Sequence, residues 1–514
     1  MTVVRISSRV SKLGTDICTG LMALILVGLP FSSFPLLTRL AGSQVAPLSA
    51  LPALALILVW LLPYLWKRGR LPAESVPLFF FFLACLAGTA GAFFLEIPLT
   101  RDRTLIGQIP RTYLTLAVGL AFYFAIAAWP RQEKTLERML QAITIGGILS
   151  LAWGLMQSVT ILFFHSHYPK WIEAIRDTLV YQQPVVQYGN RVTGFTYEPS
   201  WFAHQMNMLF LPLWLASFYL GISVFRFRIF GISVETILLG LGLVEFVLCL
   251  PRIGMIAFGL MLVFLFIKFN RAVYRWISAK ISARWKAPPR RQRLARIFIA
   301  AGLGIVFILV YAGIARGLFS ILAQYDWRMA LLIQNPLTPA EAAGLLRGDE
   351  GMLIAVSAHF AFAERVIYWL TGWHIFSTYP WLGIGIGNTG FLFAANMPAP
   401  AYLSIEMRQV VFQLPYLANT KSLWVRLLAE TGIVGFSIFV SWLVLLWRSA
   451  RASQHSSSPV LRLVALAGQL ALVAFLVEGF SVDSFALPYL WTITALIAAA
   501  GSIYRAQASH PEQG

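Results

Sequence analysis

Charge is what this sequence has least of. Only 12% of its 514 residues are Asp, Glu, Lys or Arg, against 58% that are hydrophobic. A soluble chain of this length needs a far more polar surface, which excludes a string of soluble domains. Acidic residues are scarcer still, 21 against 40 Lys and Arg, leaving a net charge of +19. Cysteine is nearly absent. Cys18, Cys85 and Cys249 each fall inside an apolar stretch, so they read as packed thiols, with neither a disulfide framework nor a zinc-ligand spacing. There is no internal repeat, none of the inverted symmetry expected of many transporters, and no low-complexity tract beyond Ser456–Ser458.

What fills the chain instead is apolar runs of about 20 residues, each long enough to cross about 30 Å of hydrocarbon. The approximate spans are 17–37, 46–66, 75–96, 110–129, 139–163, 200–222, 232–250, 253–269, 297–318, 422–447, 460–480 and 486–504. They predict an all-α polytopic membrane protein of about twelve transmembrane helices. Arg5, Arg9 and Lys12 precede the first run, but no small-residue cleavage site follows, so it is expected to stay as a helix. Basic residues set the orientation. Lys67, Arg68 and Arg70 follow the second span, Arg131, Lys134 and Arg138 the fourth, Arg226 and Arg228 the sixth, and Arg448 and Arg451 the tenth. The 268–296 loop carries ten Lys and Arg and no acid. These loops alternate as they do when both termini are cytosolic. The surplus charge therefore points to anionic membrane lipid and not to nucleic acid.

That topology divides the chain into a first helical block, 1–318, with a short outer segment at 164–199, a long outer loop at 319–421, and a closing block, 422–514, with a cytosolic tail. Loops as long as 319–421 are usually functional or separately folded. An amphipathic helix is expected near 358–376. Four polar constellations face the outer side. The first runs Arg191-Val-Thr-Gly194-Phe195-Thr-Tyr197-Glu198-Pro199-Ser200-Trp201. Pro199 suits a first helical turn, but a helix start does not explain Arg191 and Glu198 at the mouth of an apolar bundle. His204, Gln205 and Asn207 carry polarity further in, where it is expensive and usually faces a cavity. The second is Pro251-Arg252-Ile253-Gly254, in a turn too short to take Arg252 far from the interface; the plain alternative is a snorkelling side chain. Glu235 and Glu245 in the preceding span are candidate counter-ions. The third is Arg365-Val-Ile-Tyr-Trp369 with the glycine-rich 380–390 stretch. Gly385–Gly390 matches G-x-G-x-x-G, but no βαβ pattern frames it, and a tight turn accounts for the glycines. The fourth runs from Asn419 through Lys421 and Ser422 to Arg426, Glu430, Gly432 and Gly435. There Arg426 and Glu430 suit an i, i+4 pair, and the two glycines suit close helix packing.

In order, spacing and common outer location, these pieces resemble the O-antigen polymerase/O-antigen ligase superfamily of bacterial membrane glycosyltransferases, over about residues 185–440. The resemblance implies a bundle related to the GT-C class in the bacterial inner membrane. It implies undecaprenyl-diphosphate-linked oligosaccharide as substrate on the periplasmic face, and neither cofactor nor catalytic metal. A chain-length regulator is a possible partner in that setting. By the same resemblance Arg191 and Arg252 match arginines that hold the lipid diphosphate, and Arg365 with the 380–388 turn matches the long-loop pattern. Glu198 is the candidate base, or else orients Arg191. Arg365, Lys421, Asn419, His204 and Tyr197 are candidates for substrate contact. At Lys421-Ser422 the chain departs from ligases, which typically carry His-Asn there. A neutral His suits a base near pH 7 and a protonated Lys does not, so the departure favours polymerase over ligase. A transporter would instead place polar residues along a midplane path.

The orientation is testable. A reporter active only outside the cytosol should work when fused near residues 180 and 350 and stay silent near 70, 280 and 510. A reversed signal at 280 or 350 would put the four constellations on the wrong side of the membrane for this chemistry.

Overall fold

The computed structural model describes residues 2–41, 43–163, 169–181, 191–284, 289–325, 330–331, 334–335, 337–414 and 416–509. Lys286 of the basic loop, and 164–168 and 182–190 of the first outer segment, lie outside them. Among the described residues the regular structure is helix, apart from a two-stranded antiparallel hairpin, β1 (Arg228–Ile229) and β2 (Ile232–Ser233). Each of the twelve apolar stretches carries a helix, though in the first, expected over 17–37, it stops at Val27. The helices are α1 (Thr2–Val27), α2 (Ala50–Trp66), α3 (Val76–Ala92), α4 (Leu105–Ala128), α5 (Glu133–Phe163), α6 (199–220), α7 (Val234–Leu248), α8 (Arg252–Arg284), α9 (Pro289–Tyr325), α10 (Leu423–Ser453), α11 (Pro459–Glu478) and α12 (Pro488–Ser509). The protein is an all-α polytopic membrane protein. Among the described residues seven helices are long and apolar enough to span: α3 (with the turn before it), α4, α5, α8, α9, α10 and α11. The others include α2 and α6, each interrupted by a π-helical turn, at Ile57–Leu61 and Met206–Phe210, and α7, 15 residues long.

Which way each helix faces follows from its composition. Phe79 and Phe80 of α3 and Leu58 and Val59 of α2 point outward and are more than half exposed, a placement that suits hydrocarbon and not water. In α12 every residue from Pro488 to Gly501 is buried. A helix enclosed on all sides has no lipid-facing stripe to keep apolar, so its Thr492, Thr494 and run of alanines are tolerated. Its main neighbours are α4, α10 and α11, and it also meets α6 and α5. Gly119 of α4 leaves room for the Trp491 ring, which an added Cβ would meet at 2.3 Å. The three cysteines are buried free thiols.

The chain divides into two compact units. The first comprises Met1–Phe258, Gly372–Asn396 and Pro415–Gly514. At one of its ends Glu74, before α3, takes both guanidinium nitrogens of Arg505 at 2.7 and 2.9 Å and the Ser449 hydroxyl at 2.6 Å. Glu133 and Gln507 meet at that end too, and so do Gln141 and the 223–235 turn, whose Val224 N–H and Ser223 hydroxyl donate to Glu235. Glu235 is thus a turn-capping carboxylate, bonded by a backbone N–H and a hydroxyl. The expected cytosolic loops of this unit gather here, as alternating antiparallel helices require.

At the opposite end of the first unit, α10 is broken at Gly432, which adopts φ 60°, ψ −169°. The break frees backbone N–H groups inside an apolar bundle, where each needs a partner. Ile433 N–H donates to Pro380 O at 2.8 Å and Val434 N–H to Trp381 O at 3.2 Å, while Ile384 N–H donates back to Ala429 O at 3.1 Å. The glycine-rich turn is thus laid into the helix break. Gly383, Gly385 and Gly387 all have positive φ, as expected of a tight turn. A Cβ on Gly387 would stand 2.0 Å from Thr112 Oγ1 of α4. Gly432 makes its close approach to this turn's backbone.

The second unit comprises Gly259–Thr371 and Met397–Leu414. It holds most of α8, all of α9, and three short helices of the long loop, Pro339–Leu346, Glu350–His359 and Ile405–Phe412. Thr338 and Glu341 form a reciprocal capping box on the first of these. Those bonds hold the Glu341 carboxyl below its usual value. The expected amphipathic helix is Ala363–Thr378, and within this unit Tyr368 OH donates to Glu406 at 3.1 Å.

Gly432→Ala is expected to lower the thermal stability of the purified protein markedly. Its backbone region is nearly closed to residues with a Cβ, at about 1–3 kcal/mol, and the methyl group would stand 2.2 Å from Trp381 O. Gly20→Ala, with nothing within 4 Å, is the control. Equal melting temperatures for the two variants would refute the inserted-turn account.

Candidate functional site

The site is built where α7 stops and α8 starts. Between them Leu250 has φ 49°, and the reversal exposes the last carbonyls of α7, which carry the negative end of the helix dipole. Segment 191–198 satisfies them. Val192 N–H donates to Leu248 O at 3.3 Å. Arg191 donates from Nε to Cys249 O at 2.9 Å and from Nη2 to Leu250 O at 3.2 Å. Arg191 is thereby anchored within two residues of Arg252. The segment is itself held by Gln157 of α5, whose Oε1 accepts from Thr193 N at 3.1 Å and Gly194 N at 2.8 Å. It ends in Glu198, the residue before α6, which accepts from the Ser200 hydroxyl. Exposed N–H groups at a helix start favour a carboxylate. Cys249 donates its thiol to Pro199 O at 2.8 Å and feels the charges of Arg191, Glu478 and Glu198. One neighbourhood therefore collects Arg191, Glu198 and the first turn of α8, where Arg252 and the N–H groups of a helix N-terminus lie together, both suited to an anion.

Behind this mouth lies a fully enclosed polar node. Glu478, the last residue of α11, contacts His204 Nδ1 through Oε2 at 2.6 Å and accepts from Asn207 Nδ2 through Oε1 at 2.5 Å. Asn207 Nδ2 also donates to Gly254 O at 2.8 Å. The carboxylate ties α11 to α6, and the Asn207 amide ties both to α8. His204 is 1% exposed and Glu478 0%, so this node positions the mouth and does not line it. Tyr197 is enclosed as well: its hydroxyl accepts from Gln44 Nε2 at 3.0 Å and its ring lies between Tyr181 and Trp201. Gln205, beside the node, accepts from Ser150 at 3.2 Å.

The chain after Glu478 leads to the second group of expected residues. Gly479 O accepts from Leu423 N–H at 2.8 Å and from Ser422 Oγ at 3.2 Å. Asp483 accepts from Asn419 Nδ2 at 3.1 Å through its side chain and from Arg426 Nη1 at 2.6 Å through its carbonyl. Asn419 Oδ1 in turn takes the Lys421 N–H at 2.9 Å, and Lys421 holds a positive φ of 50°. Lys421 sits just before the N-cap of α10, Ser422, another cation at a helix start. Arg426 and Glu430 form the expected i, i+4 pair at 2.9 Å, and Thr389 donates to Glu430 at 2.8 Å.

The structure thus gathers Arg191, Tyr197, Glu198, His204, Arg252, Asn419 and Lys421 at one end of the first unit. Arg365 belongs to the second unit, half-buried on Ala363–Thr378. Glu245 is buried against Gly154 of α5, and among the described residues neither of its oxygens has a hydrogen-bond partner. Glu478 and Asp483 join the two groups and escaped the sequence reading. The signal was present for Glu478, a lone carboxylate closing an apolar span.

Residues 237–440, from α7 into α10, match the family model described as O-antigen ligase, which supports the O-antigen polymerase/ligase superfamily. The matched range includes Arg252, Arg365, Asn419 and Lys421 and leaves out Arg191, Glu198 and His204. No curated protein matches the chain.

Glu478→Ala should destabilise the protein by about 1–3 kcal/mol for each buried partner left without an acceptor, read as a lower melting temperature in detergent. Asp483→Ala, at a half-buried site, should cost much less. A neutral Glu478→Ala would show that the node ties nothing together.

Proposed function

We propose, from the premise that this chain is a member of the O-antigen polymerase/ligase superfamily, that it polymerises undecaprenyl-diphosphate-linked repeat units on the periplasmic face of the bacterial inner membrane. The observation that carries the reading is the seating of Arg191 on the α7 terminus beside Arg252 and Glu198. In glycosyl transfer the acceptor hydroxyl oxygen attacks the anomeric carbon of the donor. The bond from that carbon to the diphosphate breaks, and the lipid diphosphate leaves with the electron pair. Negative charge grows on phosphate oxygens, where a fixed donor is worth about 2.7–4 kcal/mol. Arg252 and the α8 N-terminus meet those oxygens, and Arg191, its guanidinium already oriented, completes the clamp. Guanidinium suits the task because its planar fork binds two phosphate oxygens at once. Glu198 takes the proton of the acceptor hydroxyl. Lys421 and Asn419 contact the glycan or its phosphates. His204 and Tyr197 act from inside the wall, by holding α6 in place.

A second reading has its own support. The matching family is described as O-antigen ligase, and a ligase would pass the finished glycan to a lipid or protein acceptor. Against it stands Lys421, a cation where a ligase would have its neutral base.

Two experiments test the proposal. Arg191→Ala and Arg252→Ala should each abolish long-chain glycan at matched expression, and lysine should rescue poorly. Deletion in the native host should leave a single repeat unit on its final acceptor. Full-length polymer stranded on undecaprenyl diphosphate would instead establish the ligase.

A further inference from the structure

The turn that joins α6 to α7 is apolar where a connecting turn is ordinarily polar. Residues 221–234 read Gly-Ile-Ser-Val-Phe-Arg-Phe-Arg-Ile-Phe-Gly-Ile-Ser-Val, with two arginines and no acid. The next acid along the chain, Glu235, is buried and already bonded by Val224 and Ser223. Ile229 faces Ile232 across the β1–β2 hairpin, which leaves Phe230 and Gly231 as a two-residue turn with φ 50° and 80°. Asn-Gly is the usual pair there. Phe230 takes the first place and is 100% exposed, with Phe227 at 58%. Arg226, Arg228, Ile229 and Ile232 are exposed as well. A lone two-stranded hairpin is marginal in water, yet the base of this one is fixed. Gln141 Nε2 donates to Val224 O at 2.6 Å, and Ser233 caps α7, accepting from Thr236 N at 3.3 Å.

The two helices it joins say what covers it. Both run between the mouth and the hairpin. At the mouth the Cys249 thiol on Pro199 O sets the end of α7 level with the start of α6. Over 199–220, α6 covers about 33 Å at about 1.5 Å per residue, enough to cross about 30 Å of hydrocarbon. The 15 residues of α7 cover only about 22 Å. Its far end therefore falls about 10 Å short of that of α6, and the hairpin takes up the difference. That holds the hairpin at the level where α6 leaves the hydrocarbon, the level of its exposed Phe218 and Tyr219. Rings and guanidinium groups side by side suit this depth. Aromatic side chains lie among the headgroups, and arginine extends from apolar surface to lipid phosphate. The hairpin backbone, with open edges, also needs the polar partners found at headgroup level and not in the hydrocarbon.

We propose that the 225–232 hairpin is an anchor in the anionic membrane surface on the expected cytosolic side. Phe227, Ile229, Phe230 and Ile232 enter the headgroup–hydrocarbon boundary, and Arg226 and Arg228 pair with lipid phosphates. The anchor fixes the depth of α6 and α7, and with it the depth of the mouth at their other ends. The inference does not depend on the polymerase reading.

Spin labelling of the full-length chain in nanodiscs tests it. The native thiols are buried, so labels go to Phe230→Cys, Ile229→Cys or Ile232→Cys, one at a time. The measured quantity is the ratio of collisions with oxygen, which favours lipid, to collisions with a water-soluble nickel chelate. Phe79→Cys, on the outward face of α3, is the lipid reference, and His455→Cys, exposed between α10 and α11, is the water reference. In phosphatidylcholine discs containing phosphatidylglycerol, all three hairpin labels should read close to Phe79; agreement among them excludes a turn disturbed at position 230 alone. Omitting phosphatidylglycerol, or replacing Arg226→Ala with Arg228→Ala, should lower the ratio toward that of His455. The two changes together should do no more than either alone. Hairpin ratios equal to that at His455, as for a hairpin standing in water to meet a soluble partner, would overturn the inference. So would lipid-like ratios indifferent to both phosphatidylglycerol and the two arginines.

Discussion

A backbone polar group freed inside an apolar bundle must find a partner, and this constraint organises the end of the molecule that carries the site. Two helical paths are interrupted there. Where α7 gives way to α8, the carbonyls of Leu248, Cys249 and Leu250 are taken by Val192 N–H and by Arg191. Where α10 breaks at Gly432, the N–H groups of Ile433 and Val434 are taken by Pro380 and Trp381. In each case the partner is a loop that would otherwise have no reason to enter the bundle. The breaks position the loops, and the loops carry the proposed site residues.

The same rule explains the charged residues that look misplaced in an apolar chain. Glu478 is fully enclosed, which is tolerable because His204 and Asn207 meet both of its oxygens. Glu430 is enclosed and bonded by Arg426 and Thr389. Breaking such an arrangement leaves an uncompensated buried charge, far costlier than the net worth of the intact pair. These carboxylates therefore act as pins: each fixes the relative placement of two or three helices, and the arginines at the mouth inherit that placement.

Cations stand at several helix starts on this end, against the dipole preference. Arg252 begins α8, Lys421 precedes the cap of α10, and Arg103 precedes the cap of α4. Each adds to the positive potential of a helix start, an arrangement that favours an anion.

Much of the fold was legible in the residues. Runs of about 20 apolar side chains define helices because no other open structure satisfies its own backbone in lipid, and each of the twelve runs carries a helix, the first ending early at Val27. The Arg426–Glu430 pair and the tight 383–387 turn were readable because both are local, set by helical spacing and by glycine's freedom at positive φ. Long-range partners were not. Nothing in the order of residues says that Glu478 meets His204 across 274 positions, that Arg191 spends donors on the end of α7, or that Gly432 breaks its helix to admit Trp381. The chain by itself determined which segments form apolar helices, through hydropathy. Only the tertiary structure decided which polar groups meet, because partners for buried charges and freed backbone groups are chosen by three-dimensional proximity.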